Sequence, residues 1–207
     1  MYLFLLDVSH NAVNTGYLQN ACDILLECLD KLPGDTRTQI GFITYNSSIH
    51  VYNLSDSLSQ PQMLIYPDID DVILPLPEFL MINLTENKET IQTFLQDLPN
   101  LFNNSNDTEN ALGTALTAAF KLLTGTGGRV TVMQTCLPTC GVGSLKIRSD
   151  SIEKDSQSLG PQTDFYKKLA LECASVHIAV DLFMFNALYA DLATLCKLCL
   201  FELLFKG

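Results

Sequence analysis

Residues 2–11 read Tyr2-Leu3-Phe4-Leu5-Leu6-Asp7-Val8-Ser9-His10-Asn11, an unbroken apolar run that ends on a carboxylate and a polar turn. A strand with one wet face alternates apolar and polar residues, so a run without a polar face predicts a strand buried on both sides, as in a parallel sheet. Downstream, Leu18, Cys22, Leu25, Leu29 and Leu32 recur at helical spacing, with Asn14 or Thr15 placed to cap the start and Pro33-Gly34 to end it. Gln39 to Tyr45 reads as a second buried strand, Asn46-Ser47-Ser48 as a turn, and Ile49 to Tyr52 as an antiparallel edge partner.

Further along, Lys88 to Leu98 and Ala111 to Leu123 have helical patterns divided by the polar stretch Asn103 to Asn110. Arg129 to Thr135 is a strand, and Thr124 to Gly128 before it is a helix stop and turn. A loop rich in Ser, Gly and charge spans Gly141 to Gly160, followed by a helix over Asp164 to Cys173 and a strand within Val176 to Phe185. This alternation predicts a doubly wound α/β fold: a mostly parallel sheet with right-handed crossovers, helices on both faces and an antiparallel edge hairpin. Between Ser57 and Leu84 the chain carries Pro61, Pro67, Pro75 and Pro77 and the cluster Asp68-Ile69-Asp70-Asp71. That composition argues against regular core elements for much of the segment and toward a contact surface.

The chain has 207 residues, 47% hydrophobic and 17% charged, enough for one continuous core and unlike a disordered chain. Twelve basic against twenty-three acidic side chains leave a formal charge of -11, which repels phosphate backbones and anionic lipid surfaces. The opening apolar run reaches Asp7 too soon for a secretory signal, so the expected location is the cytosol. There the Asn-x-Ser/Thr sequences at Asn46, Asn53, Asn83, Asn103 and Asn106 would stay unglycosylated. Asp181, Asp191, Lys197 and Glu202 interrupt the greasy stretch Ile178 to Phe205 before it could span a membrane. Of the seven cysteines, Cys22, Cys28 and Cys173 sit at apolar helical positions. The pairs Cys136/Cys140 and Cys196/Cys199 lack the further ligands that zinc needs.

Ligands in doubly wound sheets bind beyond the carboxyl ends of the strands, which directs attention to the turn Asp7-Val8-Ser9-His10-Asn11. It resembles the metal-site signature of von Willebrand factor A-type domains, in which an Asp and two hydroxyl residues at alternate positions help hold Mg2+. Here Asn11 stands at the second hydroxyl position, Asn110 precedes Gly113-Thr114-Ala115-Leu116 where that family carries a Thr, and no acidic residue occurs from Val130 to Ser149. The resemblance supports the fold, while Asp7, Ser9, Asn11 and Asn110 make a degenerate site with too few hard oxygens for the metal. Asp7 is expected to hold its loop by hydrogen bonds instead. Ser9 and Cys136 are loop residues that a base such as His10, His50 or His177 could in principle activate, but no nucleophile elbow is present and catalysis is not expected.

A more specific likeness rests on Asp7 to Val13, Leu32-Pro33-Gly34-Asp35-Thr36-Arg37-Thr38 and Leu58-Ser59-Gln60-Pro61-Gln62-Met63-Leu64. It extends through Asp68 to Val72, Ala118 to Leu122, Thr163 to Ala170 and Ala179 to Phe183. Over Tyr2 to about Leu195 the chain resembles the trunk domain of the cargo-selecting subunit in the inner layer of the COPII vesicle coat. The resemblance implies a non-enzymatic adaptor, without cofactor, that binds the partner inner-coat subunit and cargo export signals in transport from the endoplasmic reticulum to the Golgi. It also implies a cytoplasmic location at endoplasmic reticulum exit sites, with membrane association only through the coat.

By the same resemblance Arg37 matches an arginine used to bind a membrane-fusion protein cargo, a task suited to its carboxylate-gripping fork. The alternative for Arg37 is a solvated turn residue or an ion pair with Asp35. Composition and exposure make the insertion Gln60 to Leu80, with Asp68, Asp70 and Asp71, the expected partner contact. Residues 1–195 then form the trunk domain and 196–207 an atypical tail that departs from the family and suggests truncation. Leu188, Leu192, Leu195, Cys199 and Leu203 at helical spacing are expected to close the sheet edge, with self-association if they do not. The reading from another class is an A-type domain that captures a ligand through Mg2+.

Overall fold

A computed structural model describes residues 1–55, 58, 60–70, 72–75, 77–148, 160–186 and 189–198. Among these residues seven strands form one sheet: β1 (Tyr2–Asp7), β2 (Gln39–Tyr45), β3 (Ile49–Asn53), β4 (Gln62–Tyr66), β5 (Ile82–Asn83), β6 (Gly128–Gln134) and β7 (Ile178–Met184). Their order is β4-β3-β2-β1-β6-β7, with β5 paired to the start of β2. β1 runs parallel to β2 and β6, β7 runs parallel to β6, and β3 and β4 extend the sheet antiparallel beyond β2.

β1 is apolar from Tyr2 to Leu6 because it feeds two cores. Leu3 and Leu5 point to the face covered by α5 (Leu112–Leu123) and α6 (Phe165–Ser175), against Leu116, Leu122, Tyr166 and Leu169. Phe4 and Leu6 point to the opposite face, under α2 (Tyr17–Cys28) and α4 (Lys88–Phe102), against Leu18, Leu25, Phe94 and Leu95. Rings chain through that second core, Phe4 to Phe42 at 5.7 Å, Phe42 to Phe94 at 5.2 Å and Tyr52 to Phe94 at 4.7 Å.

Several elements differ from the sequence reading. Ile49 to Tyr52 is not an edge: β4 pairs outside it, and Ile49 to Tyr52 are all buried. The proline-rich insertion supplies that outer strand between Pro61 and Pro67, then the short helix α3 (Pro77–Leu80) and β5. Neither Asn14 nor Thr15 caps α2. A separate turn, α1 (His10–Asn14), comes first, and Gly16 at φ 69 re-aims the chain into α2, a left-handed conformation that glycine adopts at little cost. α4 continues past Leu98 through Pro99 to Phe102. An interior proline costs about 3 kcal/mol, which burial of Phe94, Leu95, Leu98 and Phe102 at roughly 1.5–3 kcal/mol each outweighs. His177 lies before β7, in a turn at φ 60 rather than in the strand.

The closing segment is α7 (Leu192–Leu195) and a 3-10 turn (Cys196–Leu198). Leu195 and Leu198 are buried in the core with α6, and Leu192 is exposed. Leu188, Cys199 and Leu203 of the expected closing helix lie outside the described residues, as do 149–159 of the expected loop.

Candidate functional site

The carboxyl ends of β1, β2 and β6 meet where the strand order reverses, the position at which doubly wound sheets hold ligands. Asp7, in register with Tyr45, is fully buried there. Its Oδ1 accepts the Ser9 N–H at 2.9 Å, and its Oδ2 accepts both the Thr135 N–H at 2.9 Å and the Thr135 hydroxyl at 2.6 Å. The Cys136 thiol lies 3.6 Å from both Asp7 Oδ2 and Ser9 Oγ. Asn11 Nδ2 donates to the Thr135 carbonyl at 2.9 Å. Asn110 Oδ1 accepts the Leu112 N–H at the start of α5 and the Gln134 side-chain amide, at 3.2 and 2.9 Å. The Tyr45 hydroxyl closes the ring on Gln134 Oε1 at 2.6 Å.

Asp7, Ser9, Asn11 and Asn110 are therefore brought together, but as a hydrogen-bond hub joining the β1 and β6 loops. Mg2+ needs near-octahedral hard oxygens with room for its waters. Here both Asp7 oxygens are occupied by protein donors, and Asn11 turns its amide nitrogen to a carbonyl. The residues do not fit the metal. Asp7 holds its loop by hydrogen bonds, through Ser9, the residue before α1, and it reaches across to Thr135 besides. Gln134, Thr135 and Tyr45 were not singled out from sequence, although the polar pair Gln134-Thr135 at the carboxyl end of β6 was the available signal.

The hub also lacks an activated nucleophile. Burial, reinforced by the Asp7 charge, pushes the Cys136 thiol up to about 12, so it stays protonated. The same causes raise the Tyr17 and Tyr45 phenols well above their usual value. No histidine faces Ser9 as a base. His10 donates Nδ1–H to the Ser105 carbonyl at 3.0 Å and accepts Asn14 Nδ2 at Nε2. His50 bonds Thr44 Oγ1 at 3.0 Å, and burial lowers its pKa. His177 is at the opposite end of the strands, beside Gly128.

Arg37 also lies at that opposite end, on a cleft of about 730 Å3 lined by Met1, Tyr2, Asp35, Thr38 and Arg129. Its side chain is 88% exposed. Nε and Nη2 donate to Asp35 Oδ2 at 3.0 and 2.7 Å, and the Arg37 N–H donates to Asp35 Oδ1 at 2.9 Å. These bonds hold the Asp35 carboxyl below its ordinary range. The ion pair with Asp35 thus forms, and it leaves the guanidinium open to solvent.

The insertion packs along α5: Thr114 Oγ1 donates to the Ile69 carbonyl at 2.9 Å, and Lys121 Nζ to the Val72 carbonyl at 3.0 Å. Asp68 and Asp70 remain exposed, the Asp70 N–H donating to Asp68 Oδ1 at 3.1 Å. Asp71 lies outside the described residues.

Residues 1–201 match the model of the Sec23/Sec24 trunk domain. Protein transport protein Sec24B of Homo sapiens is 59% identical over 199 residues, covering 94% of this chain and 16% of that protein. Sec24A of Mus musculus is 56% identical over 198 residues, covering 94% of this chain and 18% of that protein. The chain therefore spans about a sixth of the length of these curated relatives. The crystal structure of the human COPII-coat protein Sec24c superposes with a TM-score of 0.88 at 33% identity, over 95% of this chain and 28% of that one. Proximal thread matrix protein 1 from the mussel byssus, at 14% identity and a TM-score of 0.56 over 96% of this chain and 40% of that one, shares the fold alone. The α/β architecture, the family match and the two Sec24 relatives agree, and the chain belongs to the Sec23/Sec24 trunk domain family.

Proposed function

We propose that this chain is the trunk portion of a non-enzymatic COPII coat adaptor, which holds the partner inner-coat subunit and helps select cargo between the endoplasmic reticulum and the Golgi. The family match over residues 1–201 carries this reading. The hub around Asp7 is compatible with it: a sheet edge filled by its own hydrogen bonds gives a rigid platform without substrate chemistry. On this reading the adaptor works in the cytoplasm at endoplasmic reticulum exit sites, needs no cofactor and meets the membrane only through the coat. The charge of -11 disfavours nucleic acid as a partner.

Two surfaces carry the recognition. Arg37 offers a guanidinium already oriented by Asp35, suited to a carboxylate or carbonyl on a folded cargo such as a membrane-fusion protein. The segment Gln60 to Leu80, with Asp68, Asp70 and Asp71, contacts the partner subunit. Arg37→Ala is expected to weaken binding of at least one cargo about tenfold while leaving the melting temperature nearly unchanged, since a solvent-screened surface ion pair adds little to stability. Unchanged binding across a cargo panel removes the cargo role of Arg37, and failure to co-elute with the partner subunit removes the coat reading.

A further inference from the structure

The outer edge of β4 is unusual for a sheet edge. Proteins blunt such edges with lysine, proline or a bulge, because an open row of N–H and C=O groups pairs with any extended chain. Gln62-Met63-Leu64-Ile65-Tyr66 has no charge, no proline and an unbroken register with β3. Among the described residues nothing hydrogen-bonds its outer side. Pro61 and Pro67 bracket it and fix the length over which pairing can run. Leu64 and Tyr66 pack toward the core with α5, whereas Met63 and Ile65 lie on the other face, with Ile65 54% exposed.

The sequence around β4 has one sign of charge: from Thr38 to Asn87 it contains no Lys or Arg and six carboxylates. Of these, Asp68 and Asp70 follow β4 directly and are exposed. Lys121 of α5 brings one positive charge to the segment, its ammonium bonded to the Val72 carbonyl, against the two carboxylates Asp68 and Asp70. A second copy of the chain would bring the same carboxylates and a further -11 of net charge to the contact, which opposes homotypic pairing.

We propose that the β4 edge is a strand-addition site for an extended, Lys/Arg-flanked segment of a partner protein. Main-chain bonds to Gln62–Tyr66 supply affinity, alternate apolar side chains of the added strand lie beside Met63 and Ile65, and its basic flanks meet Asp68 and Asp70. This rests on the reading of Gln60 to Leu80 as the partner-contact segment and assigns the partner's chemistry.

The test uses the whole chain and backbone amide exchange. The peptide Lys-Lys-Thr-Val-Thr-Val-Thr-Lys-Lys is expected to slow exchange within residues 62–66 by about tenfold or more at saturation, and its Glu-for-Lys counterpart is not. Ile65→Lys, at an exposed position that keeps the fold, and the double change Asp68→Lys/Asp70→Lys are each expected to abolish that protection, as is high salt. The proposal is overturned if the basic peptide leaves 62–66 unprotected, if the two peptides act alike, or if the double change has no effect. With the partner coat subunit, a complex that leaves β4 exchange unchanged also overturns it. Absence of that complex counts against the coat reading alone, and the peptide result still decides the edge.

Discussion

At Asp7 the carboxylate that begins a metal-site signature spends its acceptor capacity inside the protein. Asp7→Ala would leave the Ser9 N–H, the Thr135 N–H and the Thr135 hydroxyl buried without their charged acceptor. A loss of about 3 kcal/mol or more is expected, read as a lower urea midpoint with an unchanged slope. Asp191 presents a second buried carboxylate, pairing with Arg148 Nη2 at 2.8 Å and accepting Gln162 Nε2 at 2.6 Å. Burial alone would raise its pKa, but hydrogen bonds from Arg148, Gln162 and Thr194 outweigh burial and lower it. A carboxyl whose folded pKa lies below its unfolded value stabilises fully above the unfolded value, near about 4, and that stabilisation is lost as pH falls through the folded value. Denaturant titrations across that range should show stability falling toward acid in the native chain, with a shallower slope in Asp191→Asn.

At the scale of elements, what was legible from sequence depended on how local the cause was. β1 and β2 announced themselves because two-sided burial writes an apolar run within one segment, and β6 by the alternation that buries Val130 and Val132. β4 did not: five residues between two prolines become a strand only because β3 has an open side to pair with. The site divided similarly. Asp7 stood out by its place at a strand end, whereas Thr135 lies 128 residues away and becomes its partner only through the β1–β6 pairing. Asp107 was passed over inside a polar loop. It accepts the Ser47 hydroxyl and N–H, clamping that loop to the β2–β3 turn.

Gly113, noted in sequence as part of a helix start, has a packing reason. A Cβ there would lie 1.8 Å from the Val142 carbonyl oxygen, so helix α5 and the 138–145 loop approach backbone to backbone. Gly113→Ala should lower stability by about 1–3 kcal/mol or more, despite alanine's better helix propensity, and thermal unfolding gives the sign directly.

Across the whole molecule, recognition is proposed at two separate places, neither of them the carboxyl edge of the sheet. The carboxyl edge of the sheet is closed by its own hydrogen bonds, the opposite edge carries Arg37 on an open cleft, and the β4 side carries the exposed Asp68 and Asp70 beside a strand whose outer side no described residue pairs with. A platform of this kind keeps the doubly wound sheet while its ligand pocket is given over to internal bonding. On the proposed reading, partner binding depends on outer surfaces and charge, and not on a divalent ion at Asp7. The most direct test is calorimetric titration of this chain with the partner inner-coat subunit, once in EDTA and once in excess Mg2+. The same dissociation constant in both buffers is the expected result; binding that appears only with Mg2+ and vanishes in Asp7→Ala would contradict it.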